Sequence, residues 1–447
     1  VTAVETSQSW GILPGFVRAT LGVRSPRRFP FDSMVRVRVG EQVFLLTHPD
    51  DVRHVLVTNA RNYTKTRRLV GEHGRRRAGM GILTATGAEH LRQRRLLQPR
   101  FSRDAVAAFD ATIREETGRM LDRWSRAHRV DLGAEMTDLA KSIIITALLG
   151  PDLDDATRGE LARAIAARRR FTELVHHGRL PWRDRLPTPT VRQHRQALEV
   201  IDAAIYSTIA RRREDARGHD DVVTRLLAAA YPDGSRMPDR LVRDEVLAFT
   251  GTGYETLAEA LTWALYLLAR HEDVAADLVE ELTGALDGRA PGADDLPRLR
   301  LTGMVLDETL RLYPPTWLYA RIPLEDDVLP VGGPVRAGAM LYVCQWVMHR
   351  HPRYFPDPDR FDPHRFAPGA RPPRYVYLPF GDGLHRCLGE HLARLESILV
   401  IAGVTGRVRL ELLDERPVEP RAGLTLGPRG PVWAHPHPRI AVGGDER

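Results

Sequence analysis

In "MVRVRVGEQVFLL", Val35, Val37 and Val39 alternate with polar residues, and Val43 and Leu45 resume after a turn at Gly40-Glu41. A period of two around a central turn predicts a two-stranded ribbon with one buried face, followed by a helix starting near Pro49. From about Gly87 to Leu312 apolar residues recur at spacings of three and four, which predicts a mainly helical stretch. Residues 178–193 ("GRLPWRDRLPTPTVRQ") and 231–239 ("YPDGSRMPD") interrupt it as loops between helices of one body. After Pro314-Pro315 the pattern shortens to strands and turns, then gives one last helix. The Pro- and Gly-rich end, "RAGLTLGPRGPVWAHPHPRIAV", again suggests short strands. No internal repeat or low-complexity segment is visible. These patterns predict a mainly α protein, a single domain over 1–447, with a large helical portion and a smaller β-rich portion built from both ends of the chain.

Composition changes that picture little. The 447 residues are 43% hydrophobic, enough for a substantial core. The net charge of +7 comes almost wholly from arginine, with Lys65 and Lys141 the only lysines. Aromatic residues make up 7%, too few to interleave with the basic residues as a nucleic-acid surface would require. Two cysteines in so long a chain indicate a reducing compartment and no disulfide framework. The N-terminus lacks the charged start and apolar core of a signal peptide. The most apolar stretch, "AEALTWALYLLA" from Ala258, falls well short of the roughly 18 residues of a spanning helix. A soluble, cytoplasmic protein is expected.

Candidate chemistry begins at "FGDGLHRCLG", Phe380 to Gly389. Gly381 and Gly383 permit positive φ and close approach of a flat, bulky group. Cys387 stands before a run of helix formers and beside Arg386, where the thiolate is favoured. Such a thiolate is a nucleophile, a zinc ligand or an axial haem ligand. A buried structural cysteine would explain neither the glycines nor the cations. His385 and His391 lie near for zinc, but no second cysteine completes a site. "GTGYET", Gly251 to Thr256, begins like a dinucleotide fingerprint, yet it lies within an apolar helix and lacks the third glycine. Glu255 and Thr256 interrupt that helix, an expensive placement unless the two are used or Thr256 bonds back one turn. In "DETLRLYPP", Glu308 and Arg311 share a helical face among leucines, and Arg365 in "FDPHRF" is a candidate third partner. His90 and Arg94 also share a face, either a solvated basic surface or a clamp for an anionic group.

Taken together these residues resemble the cytochrome P450 family of haem-thiolate monooxygenases, in order along most of the chain. Phe380, Gly383, His385, Cys387 and Gly389 match the family's cysteine-loop signature. Glu308 and Arg311 match its helical Glu-x-x-Arg, with Arg365 as the arginine of its structural triad. Glu255-Thr256 is similar to the acid–alcohol pair of the long helix on the distal face. His90, Arg94, Arg321 and His385 fall where the family binds haem propionates. Thr252, Tyr254 and Leu257 depart from the usual choices around that pair. The resemblance implies the family's mainly α, triangular-prism fold, haem b on Cys387 and insertion of one atom of O2 into a hydrophobic small molecule. It implies NAD(P)H electrons arriving through ferredoxin reductase and ferredoxin, with Arg92, Arg95, Arg100 and Arg394 as candidate docking charges. A bacterial natural product such as a terpenoid or polyketide is the expected substrate. A peroxide-driven peroxygenase and a non-catalytic haem sensor are the alternatives.

Overall fold

The computed structural model describes residues 43–177 and 188–439, together with the strands Trp10–Ile12, Arg28–Pro30 and Val35–Arg38. The N-terminal stretch read for a signal, the expected turn at Gly40-Glu41 and most of the expected 178–193 loop lie outside the described residues. Ten helices of ten or more residues are described. In chain order they are α1 (Gly87–Leu97), α2 (Asp110–Trp124), α3 (Leu132–Leu149), α4 (Asp155–His177) and α5 (Pro189–Glu214). These are followed by α6 (Asp239–Thr252), α7 (Tyr254–Arg270), α8 (Glu272–Leu286), α9 (Arg300–Leu312) and α10 (Glu390–Arg407). The helical stretch thus runs between the expected limits. Only α5 begins earlier than its loop-like sequence suggests. Thr188 accepts from the Val191 amide at 3.3 Å and Pro189 occupies the first turn, so residues read as loop are a helix cap.

The chain divides into two compact units, Val1–Val70 with Asp307–Cys387, and Gly71–Leu306 with Leu388–Arg447. In the first, five strands lie in the order Val35–Arg38, Val43–Leu46, Met340–Val343, Tyr319–Pro323 and Tyr63–Thr64. The first pair is the expected antiparallel ribbon, and a helix follows at Pro49–Arg53. The ribbon does not bury one face only, because Phe44, Leu45 and Leu46 are buried consecutively. Val43–Leu46 is an interior strand, paired in parallel with Met340–Val343, and is covered on both sides. Around it Leu46, Val52, Leu56, Leu341 and Val343 form a core that also takes in Leu378, just before the cysteine loop.

In the second unit the C-terminal half of α3 and most of α7 are apolar nearly all round. Ile143 to Leu149 are buried without a break, as are Ala260 to Leu268, the mark of helices with no solvent face. The last strand, Trp433–Pro438, pairs with Val408–Leu412 and with Val130–Asp131, all within this unit. The two ends of the chain therefore do not build one β portion. Alternation marked the strands, but a strand's partner is chosen by tertiary packing.

Candidate active site

The cysteine loop hangs from a buried histidine. The Leu378 amide donates to His349 Nε2 at 2.9 Å, and His349 Nδ1 lies 3.3 Å from the Leu310 carbonyl. Nδ1 must then carry the proton and Nε2 the lone pair. Burial drives the pKa of His349 down to about 3, so the ring stays neutral. The Gln345 side-chain amide donates to the Leu378 carbonyl, and the Tyr377 hydroxyl donates to the Asp307 carbonyl at 2.8 Å. Beyond these anchors the chain turns at Gly381 (φ +67°) and Gly383 (φ +69°). A Cβ on Gly383 would overlap the Leu56 carbonyl oxygen, so this glycine is demanded by the protein's own backbone packing. His385 ends a short turn, Gly383–His385, and the Cys387 amide closes the loop on the Phe380 carbonyl at 2.8 Å. Cys387 precedes Gly389, the N-cap of α10, by two residues.

Neither cysteine forms a disulfide, and the two differ sharply. Cys344 is fully buried, and burial pushes its thiol up to about 12. Cys387 is exposed. Among the described residues no group of three or more His, Cys, Asp or Glu side chains is placed to hold a metal ion.

Glu308 and Arg311 are wholly buried and meet as a two-bond fork, Nε–Oε2 2.6 Å and Nη2–Oε1 2.8 Å. Arg311 also donates to the carbonyls of His349 (3.1 Å), Pro358 (2.6 Å) and Arg360 (3.0 Å). Arg365 Nε stands 3.6 Å from Glu308 Oε1, an ionic contact without a hydrogen bond. The structure thus brings the three residues together, and ties the end of α9 to the 358–365 segment.

On the long helix the regular ladder breaks at Gly253, between α6 and α7. Thr252 and Thr256 each donate to the carbonyl four residues back, Ala248 and Thr252, at 3.0 Å. Glu255 is 7% exposed, and its Oε1 is engaged twice. The Thr425 hydroxyl donates to it at 2.7 Å, and Arg169 Nε of α4 lies 3.1 Å away. Glu259, one turn on, is raised to about 7 by burial, against the pull of Arg169. Gly427 leaves the space that its carboxylate fills. The hairpin of Pro420–Ala422 and Leu426–Pro428 is therefore fastened to α7, further secured by Trp263 Nε1 donating to the Leu426 carbonyl at 3.0 Å. Arg169, Glu259 and Thr425 were missed in the sequence. Arg169 sits in an "RRR" run that looks like a solvated face, and nothing local pairs Thr425 with a residue 170 positions earlier.

Of the expected propionate-binding residues, His90 is buried on α1 and Arg94 is half-buried on the same face, so this is not a solvated basic surface. Among the described residues Arg321 donates only to the Ala320 carbonyl (3.0 Å), and it lies 4.9 Å from the Tyr319 ring centroid. It has no carboxylate partner among the described residues, and burial lowers its pKa. The Tyr319 hydroxyl is buried without a partner. A half-buried, desolvated cation with no counter-charge, beside an unmet donor, fits an anionic group such as a propionate. Of the candidate docking arginines, Arg92 is held by Asp233 at 3.1 Å and by the Tyr231 ring, Arg394 pairs with Glu390 at 3.7 Å, and Arg100 donates to the Leu96 carbonyl at 2.9 Å. Arg95 is exposed.

Residues 28–432 match the family model of cytochrome P450. This chain belongs to the cytochrome P450 family. It is 33% identical to "Cyclooctatin synthase" of Streptomyces melanosporofaciens over 96% of this chain and 95% of that one. It is 33% identical to "Cyclooctat-9-en-7-ol 5-monooxygenase" of the same organism, covering 84% and 82%. "Pentalenene oxygenase" of Streptomyces avermitilis is 31% identical over 88% and 87%. Among solved structures the cytochrome P450DA heme domain superposes with a TM-score of 0.81 at 25% identity, covering 91% of this chain and 90% of that one. The protein is a cytochrome P450 monooxygenase, an oxidase of hydrophobic small molecules that works with haem, O2 and reducing electrons. No helix among its described residues is long and apolar enough to cross a membrane.

Proposed function

We propose that this P450 oxidises a hydrophobic bacterial natural product of the terpenoid type, with haem b held by Cys387. The relatives named for pentalenene and cyclooctat-9-en-7-ol support that substrate class. One observation carries the ligand assignment: of two cysteines, only Cys387 presents its sulfur, on a loop anchored through Leu378 to His349. Haem so bound supplies O2 activation, and thiolate ligation favours O–O cleavage. The chain's own residues do the rest. Phe380, Gly383 and Gly389 shape the loop; His90, Arg94, Arg321 and His385 neutralise the propionates. Glu255 and Thr256 move protons along α7, Glu255 being steadied by Arg169 and Thr425. Glu308, Arg311 and Arg365 hold the segment leading to the loop. Electrons come from NAD(P)H through a ferredoxin reductase and a ferredoxin in the cytoplasm, and residues 1–447 act as one catalytic domain.

The test is spectroscopic. The reduced carbon monoxide complex should show the long-wavelength Soret band of thiolate ligation. Cys387→Ser should abolish that band and Cys344→Ser should keep it. A colourless wild-type protein, or a band that survives Cys387→Ser, would overturn the assignment.

A further inference from the structure

Arg168 and Arg169 are neighbours on α4, but their guanidinium groups are differently provided for. Arg169 reaches Glu255 at 3.1 Å and Glu259 at 4.0 Å. The Arg168 guanidinium has no carboxylate partner among the described residues; outside the helix ladder, its backbone carbonyl accepts from the Thr172 hydroxyl at 2.9 Å. The acid within its electrostatic range, Asp202, is already taken. Asp202 receives Nε and Nη2 of Arg243, both at 2.8 Å, and Asp244 receives Nη1 of the same residue at 2.7 Å.

The Arg168 guanidinium lies against the bare face of Gly251, where a Cβ would stand 2.8 Å from Nη1. One turn later on the same helical run is Tyr254, 2% exposed, its hydroxyl buried without a hydrogen-bond partner and within electrostatic range of Glu255, Arg169, Arg168 and Glu259. Arg168 keeps partial surface exposure, yet burial brings its pKa down to about 10. Left alone the cation is costly, because a desolvated charge needs a counter-charge or a full set of hydrogen bonds.

We propose that Arg168 and Tyr254 form a recognition site for a carboxylate carried by the substrate. This assignment rests on the monooxygenase function above and narrows its substrate to an apolar molecule bearing one acidic group. The donor set matches that chemistry. A planar guanidinium fork offers two parallel N–H bonds to a carboxylate, and a phenol adds a third donor. A phosphate, with higher charge and more oxygens, would call for further cations, and the neighbouring Arg169 and Arg243 are bound to acids. The relatives' names, pentalenene and cyclooctat-9-en-7-ol, mention no acid, so this would be a difference in specificity within the family.

The experiment titrates haem-loaded protein with farnesoic, dodecanoic and abietic acids and the methyl ester of each, following the substrate-induced shift of the haem spectrum. At least one acid should bind about ten- to hundredfold more tightly than its ester, the range of a hydrogen bond to a charged group. Arg168→Leu should erase that preference by weakening the acid far more than the ester, and Arg168→Lys should retain part of it. Gly251→Ala needs only the flexible end of Arg168 to move, so it should fold, displace the guanidinium and weaken acid binding. It decides the matter if Arg168→Leu does not fold. No acid preferred over its ester by the wild type, or a preference that survives both variants, overturns the proposal. Loss of the thiolate–carbon monoxide band in the wild type would instead overturn the Cys387 assignment.

Discussion

Arg311 and Glu308 face each other as a buried fork, and Arg311 spends its remaining three N–H groups on the carbonyls of His349, Pro358 and Arg360. All five donors are satisfied with neither side chain exposed. Removing one partner leaves the other charge buried and alone, at a cost of roughly 3–5 kcal/mol. Arg311→Lys keeps the charge but offers three donors in place of five, and should also destabilise. Denaturant unfolding of Glu308→Gln and Arg311→Lys checks this, and wild-type midpoints would contradict it.

Thr256 and Glu255 bear on proton supply. Thr256→Ala removes a hydroxyl that donates to the Thr252 carbonyl of its own helix, so the helix should survive. Product formation per NADPH consumed should fall sharply, within the ~10²–10⁴-fold that positioned proton transfer contributes, with peroxide appearing in its place. Thr425→Val should give a milder form of the same loss by freeing Glu255. Unchanged coupling in Thr256→Ala, measured as product against NADPH, would refute the role.

His349 predicts an acid limb. Its pKa is lowered from 6.5 to about 3, so its contribution to stability is full above 6.5 and drains away as pH falls from there towards 3. At pH 5 the loss from this group alone is about 2 kcal/mol. His349→Gln should flatten the stability profile between pH 7 and 5, though from a lower starting value. Chemical denaturation across that range is the measurement.

Glu396 predicts the opposite slope. It is 4% exposed on α10, and burial raises it from 4.5 to about 8. Its contribution is present below 4.5 and lost as pH rises through 8. Glu396→Gln should therefore gain on wild type as pH climbs from 5 to 9, on the order of a few kcal/mol at the top. A difference in unfolding free energy that does not change with pH would show the carboxyl to be otherwise compensated.

Electron delivery should depend on Arg95 more than on Arg92. Arg92 is tied to Asp233 and Tyr231, whereas Arg95 is exposed. Arg95→Glu should slow ferredoxin-driven reduction at low salt and leave dithionite reduction untouched, and the difference should shrink as screening increases. Stopped-flow reduction at two ionic strengths separates this from docking elsewhere.

Local pattern alone determined much of this protein. The 3.6 period marked the helices from Gly87 to Leu312, and the residue types and spacings of the cysteine loop, Glu308–Arg311 and Glu255–Thr256 pointed to the family. These features were legible because each depends on residues a few positions apart, where helix geometry and turn chemistry are local properties. The tertiary structure decided what distance along the chain conceals. Val43–Leu46 is an interior strand because residues 340–343 pair along its second edge. Gly383 is glycine because Leu56 leaves no room for a side chain, and Gly251 and Gly253 are filled by Arg168 and Ile144. The arginine run at 168–170 looks uniform in sequence. Only folding gives Arg169 its acids and leaves Arg168 without one, since a charge's partner is set by which helices pack together and not by its neighbours in the chain.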